Sequence, residues 1–87
     1  MSARRFLPAR AVAVRAGRDG APVALRWRGR AERVARVAES WDVTAGWWRG
    51  ATAVRRRYYR LVTRSGLWCV VYRDLAADRW YLDAIVD

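Results

Sequence analysis

The chain contains no histidine, no lysine and only one cysteine among its 87 residues. Without histidine it lacks the side chain that most often moves protons near neutral pH. Ser2, Ser40 and Ser65 therefore have no imidazole to activate them as nucleophiles. One cysteine excludes an internal disulfide and offers a single soft metal ligand. The eight acids, Asp19, Glu32, Glu39, Asp42, Asp74, Asp78, Asp83 and Asp87, show no metal-loop spacing. Asp74 and Asp78 flank a turn, where carboxylates far more often shape the turn than catalyse. The six glycines are scattered, so no phosphate-cradling loop is present. The sequence therefore offers no catalytic residue, no cofactor site and no metal site, and implies a non-enzymatic protein.

Long apolar runs are missing too. None approaches the ~20 residues that span a bilayer as a helix. The start, MSARRFLPAR, is basic with no apolar segment after it, so it does not read as a signal peptide. It reads as a basic arm over residues 1–9, ahead of one small domain over 10–87. The lone cysteine, Cys69, lies in the apolar run LWCVVY and reads as a buried small hydrophobe. The lack of a cysteine framework fits a reducing cytoplasm, with no membrane role.

What the chain does have is positive charge and aromatic bulk. Its 18 basic residues, all arginine, stand against 8 acids for a net charge of +10. Such an excess draws polyanions, through counterion release if the partner is nucleic acid. Six Trp, four Tyr and one Phe supply bulk for a core. A domain this small buries only about 60% of its unfolded surface and needs large side chains to do so.

Hydrophobic alternation points to strands. RAVAVRA (10–16) and PVALRWR (22–28) alternate, and Asp19-Gly20 between them suits a tight hairpin. Val23, Leu25 and Trp27 face one way; Ala24, Arg26 and Arg28 face the other. Gly29 marks the next turn. Residues 30–42 read either as a helix, with Ala31, Val34, Ala35, Ala38 and Trp41 in a stripe, or as a strand with Val37, Glu39 and Trp41 on one side and a bulge that brings Val34 to it. The strand is preferred because its neighbours are hairpins. Residues 54–64, 67–74 and 80–87 are rich in β-branched and aromatic residues, with turns at Ser65-Gly66 and LAADR. In the last of these, Leu82 and Ile85 fall on opposite sides by simple alternation. The expectation is all-β: a small antiparallel meander of five or six strands, barrel-like or strongly bent so as to hide its edges.

The stretch GWWRGATAVRRRYYR (46–60) carries the candidate site. If Tyr59 and Leu61 face the core, then Arg56, Tyr58, Arg60 and Arg64 share the solvent side, provided Arg55 and Arg57 lie beyond the barrel rim. Arg26 and Arg28 extend this ridge. Arginine for the backbone and a ring for stacking suit nucleic acid, DNA in preference to RNA. Trp48 is the candidate loop platform. The alternative is a protein-docking face built on Trp47, Trp68 and Tyr72, for a polymerase-associated partner. A solvated arginine face is the plain third reading.

The run GWWRG…RRRYYR…LWCVVYRD…RWYLDAIVD resembles a small bacterial domain of unknown function common in actinobacteria and the Deinococcus–Thermus group. It is similar as well to the C-terminal tail of ImuB-like proteins, degenerate Y-family polymerase homologues. The resemblance lies in Trp47, Trp48, Arg55, Tyr58, Tyr59, Arg73, Asp74, Trp80, Tyr81 and Leu82. Pro22, Trp27, Gly29 and Arg30 extend it upstream; Ala31 departs from it. It implies company with DNA repair or translesion synthesis and supplies no mechanism.

Overall fold

Arg28 and Gly29, with φ of 52° and 76°, form the centre of a two-residue turn between the paired residues Trp27 and Arg30. Positive φ at both positions gives this turn the twist that antiparallel strands need. Asp19-Gly20 makes the preceding hairpin: the Ala21 N–H donates to Asp19 Oδ1 at 3.0 Å, and Gly20 has φ of 86°. These turns belong to a computed structural model that describes residues 3–46 and 54–86. Its strands are β1 (Ala3–Ala11), β2 (Ala13–Ala16), β3 (Pro22–Trp27), β4 (Arg30–Ala45), β5 (Val54–Thr63), β6 (Trp68–Asp74) and β7 (Arg79–Val86). All pairings are antiparallel, in the order β1-β7-β6-β5-β4-β3-β2. No helix among the described residues is long and apolar enough to cross a membrane.

Two bent strands roll this sheet. In β4, Arg30–Arg33 pair with β3, whereas Val34–Ala45 pair with β5. Register shifts between Val34 and Arg36, and between Val37 and Glu39, mark the bend. A bulge adds a residue to one strand and increases its local twist. Residues 30–42 are thus strand, with the expected bulge at Val34, but the second shift puts Glu39 and Trp41 on the face opposite Val37 rather than on its side. At the other corner only Val12 separates β1 from β2, and its N–H donates to the Trp80 carbonyl at 3.1 Å. The chain itself therefore joins the two ends of the sheet, one through β1 on β7 and the other through β2 on β3.

The fold class is the expected one; three details differ. There are seven strands among the described residues. The stretch from Ala3, read above as an arm, pairs with β7 and buries Phe6 to 8% exposure. Local sequence hides this, because the partner strand lies about 80 residues away. Finally, Val70 pairs with Ala84 but Val71 with Leu82, so Asp83 is an extra residue in β7. Alternation breaks there, and Leu82 and Ile85 both enter the core.

That core holds Phe6, Leu25, Tyr59, Leu61, Cys69, Val71, Leu82 and Ile85. Cys69 is fully buried, and burial pushes its thiol up to about 12. The thiolate is the reactive form. Native protein at pH 8 is expected to react with a disulfide reagent at least ~100-fold more slowly than protein in concentrated urea. Comparable rates would place Cys69 outside the core.

Candidate nucleic-acid interface

Strand β5 sorts its side chains as alternation predicts. Tyr59 and Leu61 are buried in the core, and the Tyr59 hydroxyl donates to the Gly20 carbonyl at 3.4 Å. Arg55 and Arg57, on the same side, are exposed near the end of the strand. Arg56, Tyr58 and Arg60 therefore share the outer face.

On that face an aromatic row crosses four strands. Trp41 pairs with Tyr58, Tyr58 with Tyr72, and Tyr72 with Tyr81. Their ring centroids are 5.4, 4.9 and 5.2 Å apart, and the Trp41–Tyr58 planes differ by only 6°. Each such pair is worth about 0.5–1.5 kcal/mol beyond the area it buries. The row covers itself. Tyr58 is 9% exposed and Tyr72 5%, whereas Trp41 at one end is 38% exposed. Burial pushes the Tyr72 hydroxyl pKa up. Tyr58 is thus on the expected side but is no open platform, because rings on both neighbouring strands flank it.

The arginines beside the row are largely engaged. Arg56 lies 4.6 Å from the Tyr72 ring centroid and donates to the Tyr58 hydroxyl at 3.3 Å, which holds its guanidinium more firmly protonated. Arg60 Nε is 2.8 Å from Glu39 Oε1. Arg36 and Arg60 both stand 5.7 Å from the Trp68 ring centroid. On the other side of the ribbon, Arg57 donates to both oxygens of Asp42, and this hydrogen bond lowers the Asp42 pKa. Arg73 pairs with Asp78 at 2.6 Å. Such exposed pairs add little stability, but they do reduce the positive charge left for an outside ligand.

Charge with no carboxylate partner among the described residues lies instead on the short strands, where the Arg26 guanidinium donates only to the Gly29 carbonyl, at 3.3 Å. Ala13 pairs with Arg26 and Arg26 with Ala31; Arg15 pairs with Ala24 and Ala24 with Arg33. Paired residues point to the same face, and so do residues two apart in a strand. All six therefore share the outer face of β2, β3 and the start of β4, as a checkerboard of arginine and alanine. Alternate residues Val14 and Leu25 pack inward. The alanines form a low floor, and the three exposed arginines stand around it. The depression between them measures about 400 Å³. None of the three pairs with a carboxylate among the described residues. Across two strands the arginine Cα atoms stand roughly 8–10 Å apart, within reach of neighbouring phosphates on one backbone. The Arg64 N–H donates to the Arg33 carbonyl at 2.8 Å, which sets Arg64 beside this patch.

The expected ridge is therefore divided. Arg26 and Arg64 lie in or beside the checkerboard, and Arg28 projects from the adjoining turn, 5.2 Å from the Trp27 ring centroid. Tyr58 and Tyr72 belong to the aromatic row, Arg56 and Arg60 stand beside it, and Trp68 lies under Arg60 on the same face. Trp68 sits beneath two guanidinium groups and Tyr72 is buried, so both offer an incoming protein little apolar area. Trp47 and Trp48 lie outside the described residues. Arg15 and Arg33 were missed. Their signal is Ala-x-Arg repeated in AVR, ALR and AER, whose alignment depends on strand pairing. Among the described residues no group of three or more His, Cys, Asp or Glu could hold a metal ion.

A family model described as Domain of unknown function (DUF6504) matches residues 4–87. No curated protein and no solved structure matches the chain.

Proposed function

The chain belongs to that domain family, and we propose that it is a non-enzymatic accessory module that binds nucleic acid through its arginine–alanine face. One observation carries the reading: Arg15, Arg26 and Arg33 converge on one exposed face that bears no carboxylate among its paired positions. Guanidinium groups suit phosphate oxygens better than ammonium groups, because they donate in a planar fork. Such contacts hold the backbone and position the protein without reading sequence. The resemblance to the tail of ImuB-like proteins supports DNA as the polymer and DNA repair or translesion synthesis as the setting. The free thiol of Cys69 suits the cytoplasm. The rival reading, docking on a polymerase or recombinase-like protein, loses support because Trp68 and Tyr72 are largely covered.

Fluorescence anisotropy with labelled single-stranded and duplex DNA, over a range of salt, tests the proposal. Three phosphate contacts predict that log K falls against log salt with a slope of about two to three. Binding that ignores salt, or no binding at low salt, removes nucleic acid from consideration.

A further inference from the structure

The aromatic row ends at Tyr81 in a second groove, which the phosphate contacts do not use. Between Arg5 and Arg10, strand β1 leaves its register with β7 and carries Leu7 and Pro8 outward. Leu7 is 77% exposed, the most exposed large apolar side chain among the described residues. With Pro8 it walls a groove of about 400 Å³, whose other sides include Tyr72, Tyr81, Asp83 and Arg5.

Two carboxylates and two guanidinium groups line this groove, and they are not equally available. Asp74 Oδ1 accepts the N–H groups of Ala76 and Ala77. Arg56 is committed to Tyr58 and Tyr72. Asp83 is only 17% exposed, yet accepts no hydrogen bond from the described residues; Arg5 Nε stands 4.0 Å away, beyond hydrogen-bond reach. Water still reaches its oxygens, since no side-chain oxygen or nitrogen among the described residues is both buried and unpartnered, so the carboxylate is open to a ligand that brings donors. Arg5 and Asp83 thus form a long ion pair whose hydrogen-bonding positions are unused, an acceptor-only carboxylate beside a donor-only guanidinium.

We propose that this groove takes an unpaired guanine base. The base lies between Leu7 and Tyr81, gives N1–H and N2–H to Asp83, and offers O6 to Arg5. Guanine is the one common base with two adjacent donors next to a carbonyl acceptor on its Watson–Crick edge. Thymine and uracil offer one donor there, and adenine and cytosine one amino group. Recognition of unpaired bases by an aromatic face and edge hydrogen bonds is widespread. The inference rests on the nucleic-acid reading above: the arginine face holds the strand, and this groove selects one base within it.

Anisotropy with a 15-residue oligothymidylate, unsubstituted or with one central guanine or adenine, separates the two ideas. The guanine oligomer is expected to bind about tenfold more tightly than the other two, as one well-read base allows. Asp83→Asn should abolish that preference and leave oligothymidylate binding unchanged or slightly stronger, since a negative charge is lost. Leu7→Ser, at a side chain the core does not need, should weaken the preference several-fold with no change in melting temperature. This second variant decides the matter if Asp83→Asn does not fold. Equal affinity for all three oligomers, with oligothymidylate still bound, overturns the guanine site alone. A guanine preference that survives both variants overturns it too. Failure of every oligomer to bind overturns both readings.

Discussion

Replacing Arg15, Arg26 and Arg33 together with glutamine is expected to weaken DNA binding on the order of a hundredfold at low salt, with a salt slope smaller by about two to three. Glutamine keeps an extended stem over the alanine floor but removes the charge and the guanidinium fork. The positions are exposed strand sites on the outer face, so melting temperature should change little. A companion triple, Arg18, Arg55 and Arg79 to glutamine, removes the same charge from exposed positions elsewhere. It should cost less than a tenth as much affinity. Equal losses in the two triples would mean that binding follows net charge alone and that the checkerboard is no site. Unchanged affinity in the first would move the contact to another face.

Leu61→Ala is expected to reduce stability by about 2–5 kcal/mol. Leu61 is fully buried near the C-terminal end of β5, paired with Val37 on β4 and Cys69 on β6. Truncation leaves a cavity where strands on both sides hold the backbone, so little collapse can fill it. Domains of this size have about 5–15 kcal/mol in hand, and each kcal/mol lowers the melting temperature by roughly 4–8 °C. A fall of more than about 10 °C is therefore expected, read by circular dichroism, with urea titration at an unchanged m-value as the second measure. Leu7→Ala should stay within about 0.5 kcal/mol of the parent, because that side chain is already in water. A Leu61 variant as stable as the Leu7 variant would show that the core has been placed wrongly.

The turns and the general class could be read from the sequence because their causes are local. Asp19-Gly20, Gly29 and Ser65-Gly66 each provide a backbone that tolerates positive φ, and the runs between them alternate with period two. Even the bend in β4 left a trace, since Val34 falls out of phase with Val37 unless a residue is added. The division of β5 into Tyr59 and Leu61 inside, with Arg56 and Arg60 outside, follows from the cost of burying an unpaired guanidinium.

Other features depend on residues far apart in the chain. Nothing near Arg4 or Pro8 announces a strand; β7 supplies the hydrogen-bonding edge. Tyr58 looks exposed by alternation and is not, because Trp41 and Tyr72 arrive beside it from neighbouring strands. The alanine–arginine face has the same origin. Each of β2, β3 and β4 contributes a short repeat that is unremarkable by itself, and a slip of one residue in any pairing would turn that strand's arginine toward the core. Alternation decides which residues can share a side of one strand, a matter of backbone geometry over a few ångströms. Which sides of different strands meet is decided by register, and register is settled when the whole sheet rolls around its core.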